Sequence, residues 1–232
     1  MTNKIIMVSG GAAVGKTALL KHLLPRVKQE SAVAVCKIDC IFSQDKEIFE
    51  NMDVPCVQGL SADICPDHFL VSNYMELISW SDSIKAEMLF IETAGLCNRC
   101  SPATEKSLQI CVIDATSSCK APKKLGPMLS NADMIAISKI DLVSQAEREI
   151  LIAMMRQLNE NAALFPFDGI SGYGTELLAQ HILKSRLIDS FEGDILRHTM
   201  PAGVCSYCIG ERRIGACYQQ GVVGKIDFGG MV

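Results

Sequence analysis

The N-terminal segment constrains the fold more than any other part of the chain. An apolar run at residues 5–8 leads into Gly10-Gly11-Ala12-Ala13-Val14-Gly15-Lys16-Thr17, and a helix-forming stretch follows. The pattern G-x-x-x-x-G-K-[ST] lets the backbone curl so that its N–H groups point at phosphate oxygens. A chance glycine-rich turn is the alternative, but an apolar run before the loop and a helix after it favour nucleotide binding.

Each position of this loop has a physical role in binding a nucleotide. Lys16 is expected to reach the β- and γ-phosphates and to act in catalysis, and Thr17 to bind Mg²⁺. The residues expected to contact the nucleotide here are Gly10, Gly11, Ala12, Ala13, Val14, Gly15, Lys16, Thr17 and Ala18.

Short apolar runs rich in branched side chains recur along the chain. They lie at residues 5–8, 32–38, 88–91, 110–113, 134–137 and 163–167, and they indicate buried strands. Helix-period stretches lie between several of them, at 17–28, 67–78 and 145–159. This order predicts an α/β fold with a mostly parallel sheet flanked by helices, in which ligands bind at the carboxyl ends of the strands.

Composition argues against several classes of function. The chain has 232 residues, of which 49% are hydrophobic, so it has ample material for the core of one domain. A net charge of −4 gives no basic surface for nucleic acid. No apolar run reaches the roughly 18 residues that a membrane span needs, and the N-terminus lacks a secretory pattern. We therefore expect a cytoplasmic protein without nucleic-acid or membrane partners.

The last part of the chain differs from the rest in composition. After Arg186, glycines crowd a segment that has three cysteines and little apolar periodicity. We predict a nucleotide-binding domain over residues 1–186 and a cysteine-rich, metal-binding tail over residues 187–232. Such a tail is expected to gain order from something other than a large core.

A second nucleotide motif follows the apolar run at 134–137. In Ser138-Lys139-Ile140-Asp141, the aspartate can accept hydrogen bonds from N1–H and the exocyclic amine of guanine, which adenine cannot supply, while the lysine stem covers the ring. Together with the phosphate loop, this motif favours GTP over ATP. Ser171 and Gly172, after the run at 163–167, are expected to close over the base.

Two acidic residues follow neighbouring apolar runs. Glu92 precedes Thr93-Ala94-Gly95, where a protein with this loop needs an acid near Mg²⁺ and a glycine that responds to the γ-phosphate. Asp39 is expected to face the metal and the attacking water, and a helix or turn cap is its alternative role. Lys16, Asp39 and Glu92 are the expected catalytic residues, and Thr17, Asp39 and Glu92 the expected Mg²⁺ ligands.

The order and spacing of these motifs resemble a known family. GGAAVGKT, KIDCIFSQD, a cysteine-proline-histidine cluster, ETAG and NADMIAISKIDL follow one another as in GTPases of the HypB and UreG type, within the CobW/HypB/UreG metallochaperones. The resemblance covers about residues 3–185. It implies a P-loop GTPase that dimerises with GTP and helps deliver nickel to hydrogenase or urease. It also implies nucleotide and magnesium roles for Lys16, Thr17, Asp39, Glu92, Gly95, Lys139 and Asp141.

Eleven cysteines in a reducing compartment indicate metal ligation, redox chemistry or buried packing before disulfides. Cys36 and Cys111 lie inside apolar runs and are expected in the core. Cys65-Pro66-Asp67-His68 stands where the resemblance places a Cys-Pro-His metal motif, with Asp67 inserted. Two subunits of a homodimer would supply four sulfur and nitrogen ligands. The alternative is a helix start in which Asp67 stabilises the first turn and His68 is solvated.

Two further cysteine groups are candidate ligands. Cys97 and Cys100 follow Gly95 closely and can hold one soft cation or half of an iron–sulfur cluster, although a reversible disulfide or chance is the alternative. The cysteines of the tail form either a zinc knuckle or a transfer site, with His198 as a further candidate. The candidate ligands of zinc, nickel or a cluster are Cys65, His68, Cys97, Cys100, Cys205, Cys208 and Cys217.

These observations support three hypotheses of function. The first is a homodimeric, GTP-hydrolysing metallochaperone that couples its nucleotide state to loading a transition metal or metallocluster into a target metalloenzyme. The second is a nucleotide-gated iron–sulfur electron carrier, and the third is a regulatory GTPase with a structural zinc tail. The inserted Asp67 and the added cysteine pairs argue against urease and nickel–iron hydrogenase as clients. Thiolates accept many soft metals, so the sequence leaves the metal open.

Overall fold

A seven-stranded sheet in which every strand pair is parallel forms the centre of the protein. The computed structural model describes residues 1–42, 45–95, 101–118, 120–198, 211–215, 218 and 223–229. The strands are β1 (Lys4–Gly10), β2 (Val33–Asp39), β3 (Cys56–Leu60), β4 (Met88–Glu92), β5 (Leu108–Asp114), β6 (Met134–Ser138) and β7 (Ala163–Pro166). Their order across the sheet is β3-β2-β4-β1-β5-β6-β7. The predicted α/β fold is confirmed.

Helices cover both faces of this sheet. They are α1 (Lys16–Val27), α2 (Asp45–Glu50), α3 (Pro66–Ser72), α4 (Tyr74–Ser83), α5 (Ala121–Lys124), α6 (Pro127–Ser130), α7 (Gln145–Leu158) and α8 (Thr175–Lys184), with a 3₁₀ turn at Ile140–Leu142. None of the helices within the described ranges is long and apolar enough to cross a membrane.

The core lies on both sides of the sheet. Ile5 and Met7 of β1 pack on one face with α3 and α4, while Ile6 and Val8 pack on the other face with α1 and α8. Because a parallel sheet is buried on both faces, its strands are apolar at successive positions. This explains the continuous apolar runs of the sequence. Cys36 and Cys111 are fully buried, as predicted, and burial raises the pKa of the Cys111 thiol to about 12.

Two local features differ from the sequence-based expectation. Strand β3 was not predicted, because its sequence interrupts the apolar residues with Gln58 and Gly59. The helix expected over 67–78 is two helices that meet at Asn73. The Asn73 amide donates to Phe69 O at 2.8 Å, and its side-chain oxygen accepts from Ile226 N at 3.1 Å. Asn73 therefore ends one helix and attaches the C-terminal segment to it.

The described part of the C-terminal segment packs on the core of the sheet. Phe191, Leu196, Ile214 and Ile226 are buried in the same cluster as α3 and α4. The Tyr74 hydroxyl donates to Asp194 at 2.9 Å. This packing differs from the expectation that the tail gains order from something other than a large core. The boundary at residue 186 and the metal-binding role of the tail stay predictions.

Replacing Leu196 with alanine tests whether this segment is part of the cooperative core. Leu196 is 0% exposed, so the truncation is expected to lower the free energy of unfolding by about 2–5 kcal/mol. Chemical denaturation followed by fluorescence and circular dichroism should still show one transition. Leu187→Ala, at a position that is 64% exposed, is the matched control and is expected to change stability by less than about 0.5 kcal/mol. A separate early transition in the Leu196→Ala protein would contradict a shared core.

Candidate nucleotide-binding site

The predicted phosphate loop joins the carboxyl end of β1 to the start of α1. Gly10 ends the strand with a φ of 147°. A Cβ atom at this position would lie 2.3 Å from Val112 O on the neighbouring strand β5. Gly10 is therefore required both by its backbone conformation and by the close approach of β5. The first N–H groups of α1 lack partners within the helix and form, with the loop, a natural anion-binding end.

Lys16 begins α1 and is buried at the base of the loop. Its ammonium group donates to Gly11 O at 2.7 Å and to Gly10 O at 3.2 Å. Burial, partly opposed by Glu92, lowers the pKa of Lys16. The ammonium group thus lies against the phosphate loop itself, close to where the loop would hold phosphate oxygens.

A cleft of about 590 Å³ opens beside this loop, between the ends of β2 and β4. It lies at the carboxyl edge of the sheet, where the fold was predicted to place ligands. Its lining residues are Ala12, Ala13, Gly15, Lys16, Thr17, Ala18, Lys37, Asp39, Cys40, Ile41, Phe42, Glu92, Thr93, Ala94 and Gly95. The cleft therefore brings together the predicted phosphate-loop, Asp39 and Glu92–Gly95 segments.

A hydroxyl group and buried charged side chains meet at the base of the cleft. Thr17 Oγ1 lies 2.9 Å from Glu92 Oε1 and 3.2 Å from Asp45 Oδ2. Lys37 Nζ lies 2.5 Å from Glu92 Oε1, 3.0 Å from Asp45 Oδ2 and 3.7 Å from Asp39 Oδ2. Sequence reasoning identified Thr17, Asp39 and Glu92 but missed Lys37 and Asp45. The signal for Lys37 was a single cation inside the apolar run of β2.

Burial and neighbouring charges shift the pKa values of Glu92 and Lys37, and both are raised overall. Burial raises the pKa of Glu92, whereas the Lys37 and Lys16 ammonium groups and the Thr17 hydroxyl oppose that rise. Burial alone would lower the pKa of Lys37, but the carboxylates of Glu92, Asp39 and Asp45 outweigh it and raise that pKa. Lys37 therefore stays an ammonium ion at neutral pH. Its contact with Glu92 is a charge-assisted hydrogen bond that favours the ionised carboxylate.

The proposed base-recognition residues follow β6 at the same edge of the sheet. Ser138 Oγ donates to Val14 O at 2.6 Å and so ties the end of β6 to the phosphate loop. Lys139 has a φ of 56° and its ammonium group contacts Asp114 at 2.5 Å. Burial would raise the pKa of Asp114, but the hydrogen bonds from Lys139 and from residue 116 lower it. Asp141 is exposed in the 3₁₀ turn.

The loop after β7 lies against α1. His22 Nε2 of α1 is 3.0 Å from Gly169 O. Within the loop, Asp168 accepts hydrogen bonds from Ile170 N at 2.8 Å and from the Ser171 hydroxyl. Ser171 and Gly172 are thereby held beside the helix that begins at the phosphate loop, which is compatible with their predicted position at the base.

Two of the described cysteines, Cys40 and Cys65, are half-buried, whereas Cys36, Cys56 and Cys111 are buried. Cys40 follows Asp39 and lines the cleft, where it accepts a hydrogen bond from Ser61 Oγ at 3.7 Å. Cys65 is half-buried at the residue before α3. A helix does begin here, with Asp67 in its first turn, as the alternative expects, but His68 is only 2% exposed and is not solvated. Burial raises the pKa of Asp67 to about 8, and the nearby Cys65 makes a smaller contribution in the same direction.

The other predicted metal ligands cannot be placed in this way. Cys97, Cys100, Cys205, Cys208 and Cys217 lie outside the described residues, and their roles stay predictions, as does that of the half-buried His198. Among the residues that the structure does describe, no three side chains of His, Cys, Asp or Glu form a group that could hold a metal ion.

Comparison with solved structures finds the same fold. The crystal structure of the hydrogenase maturation factor HypB from Archaeoglobus fulgidus has a TM-score of 0.65 and 20% identity, covering 78% of this chain and 89% of that chain. The crystal structure of HypB from Helicobacter pylori in complex with nickel has a TM-score of 0.65 and 18% identity. The match covers 78% of this chain and 86% of that chain. At these identities the likeness concerns the fold alone.

Comparison with known sequences defines the family. "Uncharacterized protein MJ0120" of Methanocaldococcus jannaschii is 40% identical over 225 residues, which are 97% of this chain and 96% of that protein. The CobW/HypB/UreG nucleotide-binding domain matches residues 4–166, from the first residue of β1 to the last residue of β7. The resemblance seen in the motifs is confirmed, and the chain belongs to the CobW/HypB/UreG family.

Proposed function

We propose that this protein binds and hydrolyses GTP and uses the nucleotide cycle to load or release a transition metal or metallocluster for a target metalloenzyme. The observation that carries the nucleotide part is the convergence of the phosphate loop, Lys16, Thr17 and Glu92 in one cleft. The metal part is supported by the family and by a fold shared with HypB, which in one structure is in complex with nickel.

The oxygen atoms at the base of the cleft fit Mg²⁺ as a cofactor. Mg²⁺ is a hard cation that proteins bind through one or two carboxylates, with water and substrate phosphates as further ligands. The Thr17 hydroxyl with the Glu92 and Asp45 carboxylates provides this type of donor set, and Asp39 Oδ2 lies 3.7 Å from the Lys37 ammonium group that contacts both carboxylates. When bound, Mg²⁺ neutralises charge on the β- and γ-phosphates.

The protein's own residues have distinct roles in the proposed hydrolysis. Lys16 exchanges its contacts with the carbonyls of Gly10 and Gly11 for phosphate oxygens, and its charge stabilises the γ-phosphoryl group as negative charge develops. Glu92 is 1% exposed and already bound to Thr17 and Lys37, so it is poorly placed to contact water. The Asp39 side chain is 22% exposed in the cleft and is the better candidate to orient the attacking water.

The segment after β4 offers a route from the γ-phosphate to the cysteines. The backbone of Gly95 lies directly against Gly10 and Gly11 of the phosphate loop. In sequence, Cys97 and Cys100 follow this glycine closely. A change at the γ-phosphate that moves Gly95 would therefore move the start of the C-x-x-C segment, as in other nucleotide switches.

A GTP-dependent homodimer is part of the same proposal. Ile41 and Phe42 are exposed apolar side chains at the rim of the cleft. They are adjacent in the chain, and contiguous exposed apolar surface is typical of contact surfaces. A second subunit bound there would respond directly to the nucleotide. Light scattering with GDP and with a non-hydrolysable GTP analogue would detect a dimer formed only with the analogue.

The decisive experiment combines nucleotide and metal measurements on the protein purified without oxygen. GTP is expected to bind more tightly than ATP and to be hydrolysed in a Mg²⁺-dependent manner. Metal content and affinity are expected to differ between the GDP and GTP-analogue forms. Equal metal binding in both forms would refute the coupling, and failure to bind GTP would refute the proposal as a whole. A reducible iron–sulfur spectrum would favour the electron-carrier hypothesis instead.

A further inference from the structure

Lys37 occupies an unusual position for a lysine. It lies in β2 between the fully buried Cys36 and Ile38, and β2 is paired on both sides, with β3 and with β4. The register of β2 and β4 places Lys37 directly opposite Glu92. The ammonium group is therefore held at the base of the cleft by the sheet itself, and its side chain is 6% exposed. A buried lysine is costly unless it is paired, and this one is paired with carboxylates.

The partners of Lys37 are the same oxygen atoms that fit Mg²⁺. Glu92 Oε1 contacts both Lys37 Nζ at 2.5 Å and Thr17 Oγ1 at 2.9 Å. Asp45 Oδ2 contacts both as well, at 3.0 Å and 3.2 Å. A divalent cation bound to Thr17 and these carboxylates would lie next to the ammonium group. The two cations would repel each other at a short distance with little solvent between them.

We propose that Lys37 occupies the metal-binding position among Thr17, Asp45 and Glu92 until a nucleotide binds, so that Mg²⁺ enters only together with the nucleotide. This inference rests on the proposed nucleotide-binding function and deepens it. It assigns to Lys37 a positioning role that acts through the carboxylates. The role is distinct from that of Lys16, which faces the phosphate loop.

The charges of the site support this proposal. Asp39, Asp45 and Glu92 carry three negative charges when ionised, and Lys16 and Lys37 offset two of them. The single remaining negative charge is a weak attraction for a hydrated divalent cation, which is reluctant to lose water. The triphosphate of GTP brings further negative charge and new oxygen ligands. These favour entry of Mg²⁺ and offer the displaced ammonium group an anionic partner.

Blocking of the cation site by Lys37 would be useful in a protein that handles transition metals. Nickel and zinc bind a given oxygen and nitrogen site more tightly than magnesium does, so selectivity must come from the protein. An open site with several carboxylates would collect the cargo metal at the place of hydrolysis. An ammonium group fixed among those carboxylates keeps every divalent cation out until the nucleotide supplies phosphate ligands.

Mn²⁺ is the probe for this proposal, because it prefers oxygen ligands to thiolates and its binding can be followed by electron paramagnetic resonance. Without nucleotide, the wild-type protein is expected to leave Mn²⁺ free, whereas Lys37→Gln should bind it at least about tenfold more tightly. Lys37→Arg keeps the positive charge and should behave as the wild type. The matched control is Lys46→Gln. Lys46 follows Asp45 in the chain, is exposed, and pairs with Glu50.

A double variant and a melting assay test whether the Mn²⁺ gained by Lys37→Gln binds at Glu92. Combining Lys37→Gln with Glu92→Gln should remove the Mn²⁺ binding that the single variant gains, since a ligand is lost. Mn²⁺ should raise the melting temperature of Lys37→Gln but not that of the wild type. Lys37→Met, which is close to lysine in length and uncharged, repeats the test if the glutamine variant does not fold.

Three results decide the matter. Nucleotide-free wild type that binds Mn²⁺ as tightly as Lys37→Gln would overturn the proposal, and so would a folded, uncharged variant that binds none. Gain of binding in the uncharged variant, absent from Lys37→Arg and Lys46→Gln, would establish it. A parallel titration with GDP tests nucleotide binding separately from the role of Lys37. A wild type that binds no guanine nucleotide refutes the proposed function, and the role of Lys37 as an occupant of the cation site is still decided by the nucleotide-free titration.

Discussion

Replacing Asp141 with asparagine is expected to change the nucleotide preference from guanine to xanthine. In the proposed binding mode the Asp141 carboxylate accepts hydrogen bonds from N1–H and the exocyclic amine of guanine, whereas an asparagine amide would direct its own donor at that amine. Xanthine carries a carbonyl oxygen there, which the amide can satisfy. Two hydrogen bonds to a charged group at about 1.5–3 kcal/mol each correspond to about a 10²–10⁴-fold loss of affinity for GDP and GTP.

The prediction is checked by titrating GDP and xanthosine diphosphate into both proteins and by measuring hydrolysis of the two triphosphates. Asp189→Asn, at an exposed aspartate far along the chain from the base-binding motif, controls for the loss of one negative charge. Unchanged GDP affinity in the Asp141→Asn protein would show that the motif after β6 does not read the base. The proposal of GTP as the substrate would then lose its main support from the sequence.

Most of the nucleotide-binding edge could be predicted because each motif directly follows an apolar run. In a parallel sheet the carboxyl ends of the strands lie at one edge, so segments that are distant in sequence converge there. Lys16, Asp39 and Glu92 meet in one cleft for this reason. The predicted mostly parallel sheet is confirmed, because every strand pair is parallel.

The ion network at the base of the cleft could not be predicted in this way. Lys37 and Glu92 are 55 residues apart and become neighbours only through the register of β2 against β4. Asp45 reaches Thr17 from the start of α2, which is a tertiary contact without a local pattern. A lone lysine inside an apolar run signals that a buried partner exists, but it does not say which carboxylate that partner is.

The packing of the described C-terminal residues could not be predicted for a related reason. Phe191, Ile214 and Ile226 are isolated apolar residues and Leu196 has one apolar neighbour, Ile195, so none of them shows helical or strand periodicity. Each fills one position in a core made by other elements, so it needs no periodicity of its own. Periodicity reports amphipathic elements, and it gives little signal for a segment that packs along a sheet in an irregular path.

Replacing Gly95 with alanine is expected to lower the rate of GTP hydrolysis by about 10²-fold or more while GDP binding is largely retained. A Cβ atom at Gly95 would lie 2.3 Å from both Gly10 O and Gly11 C. Both are backbone atoms of the phosphate loop, so no side-chain rotation relieves the clash. The segment after β4 must then move away from the loop. A displacement on the order of 1 Å at a catalytic site is costly in rate.

Gly224→Ala is the matched control for this change. Gly224, like Gly95, lacks a left-handed φ, and its added Cβ would meet Phe69 at an ordinary contact distance of 3.7 Å. Single-turnover hydrolysis separates the chemical step from product release, and the melting temperature reports whether each variant is folded. A folded Gly95→Ala protein that hydrolyses GTP at the wild-type rate would show that contact between Gly95 and the phosphate loop is not needed for hydrolysis. The coupling of the γ-phosphate to Cys97 and Cys100 would then require another route, because Gly95 is the described residue that joins the loop to that segment.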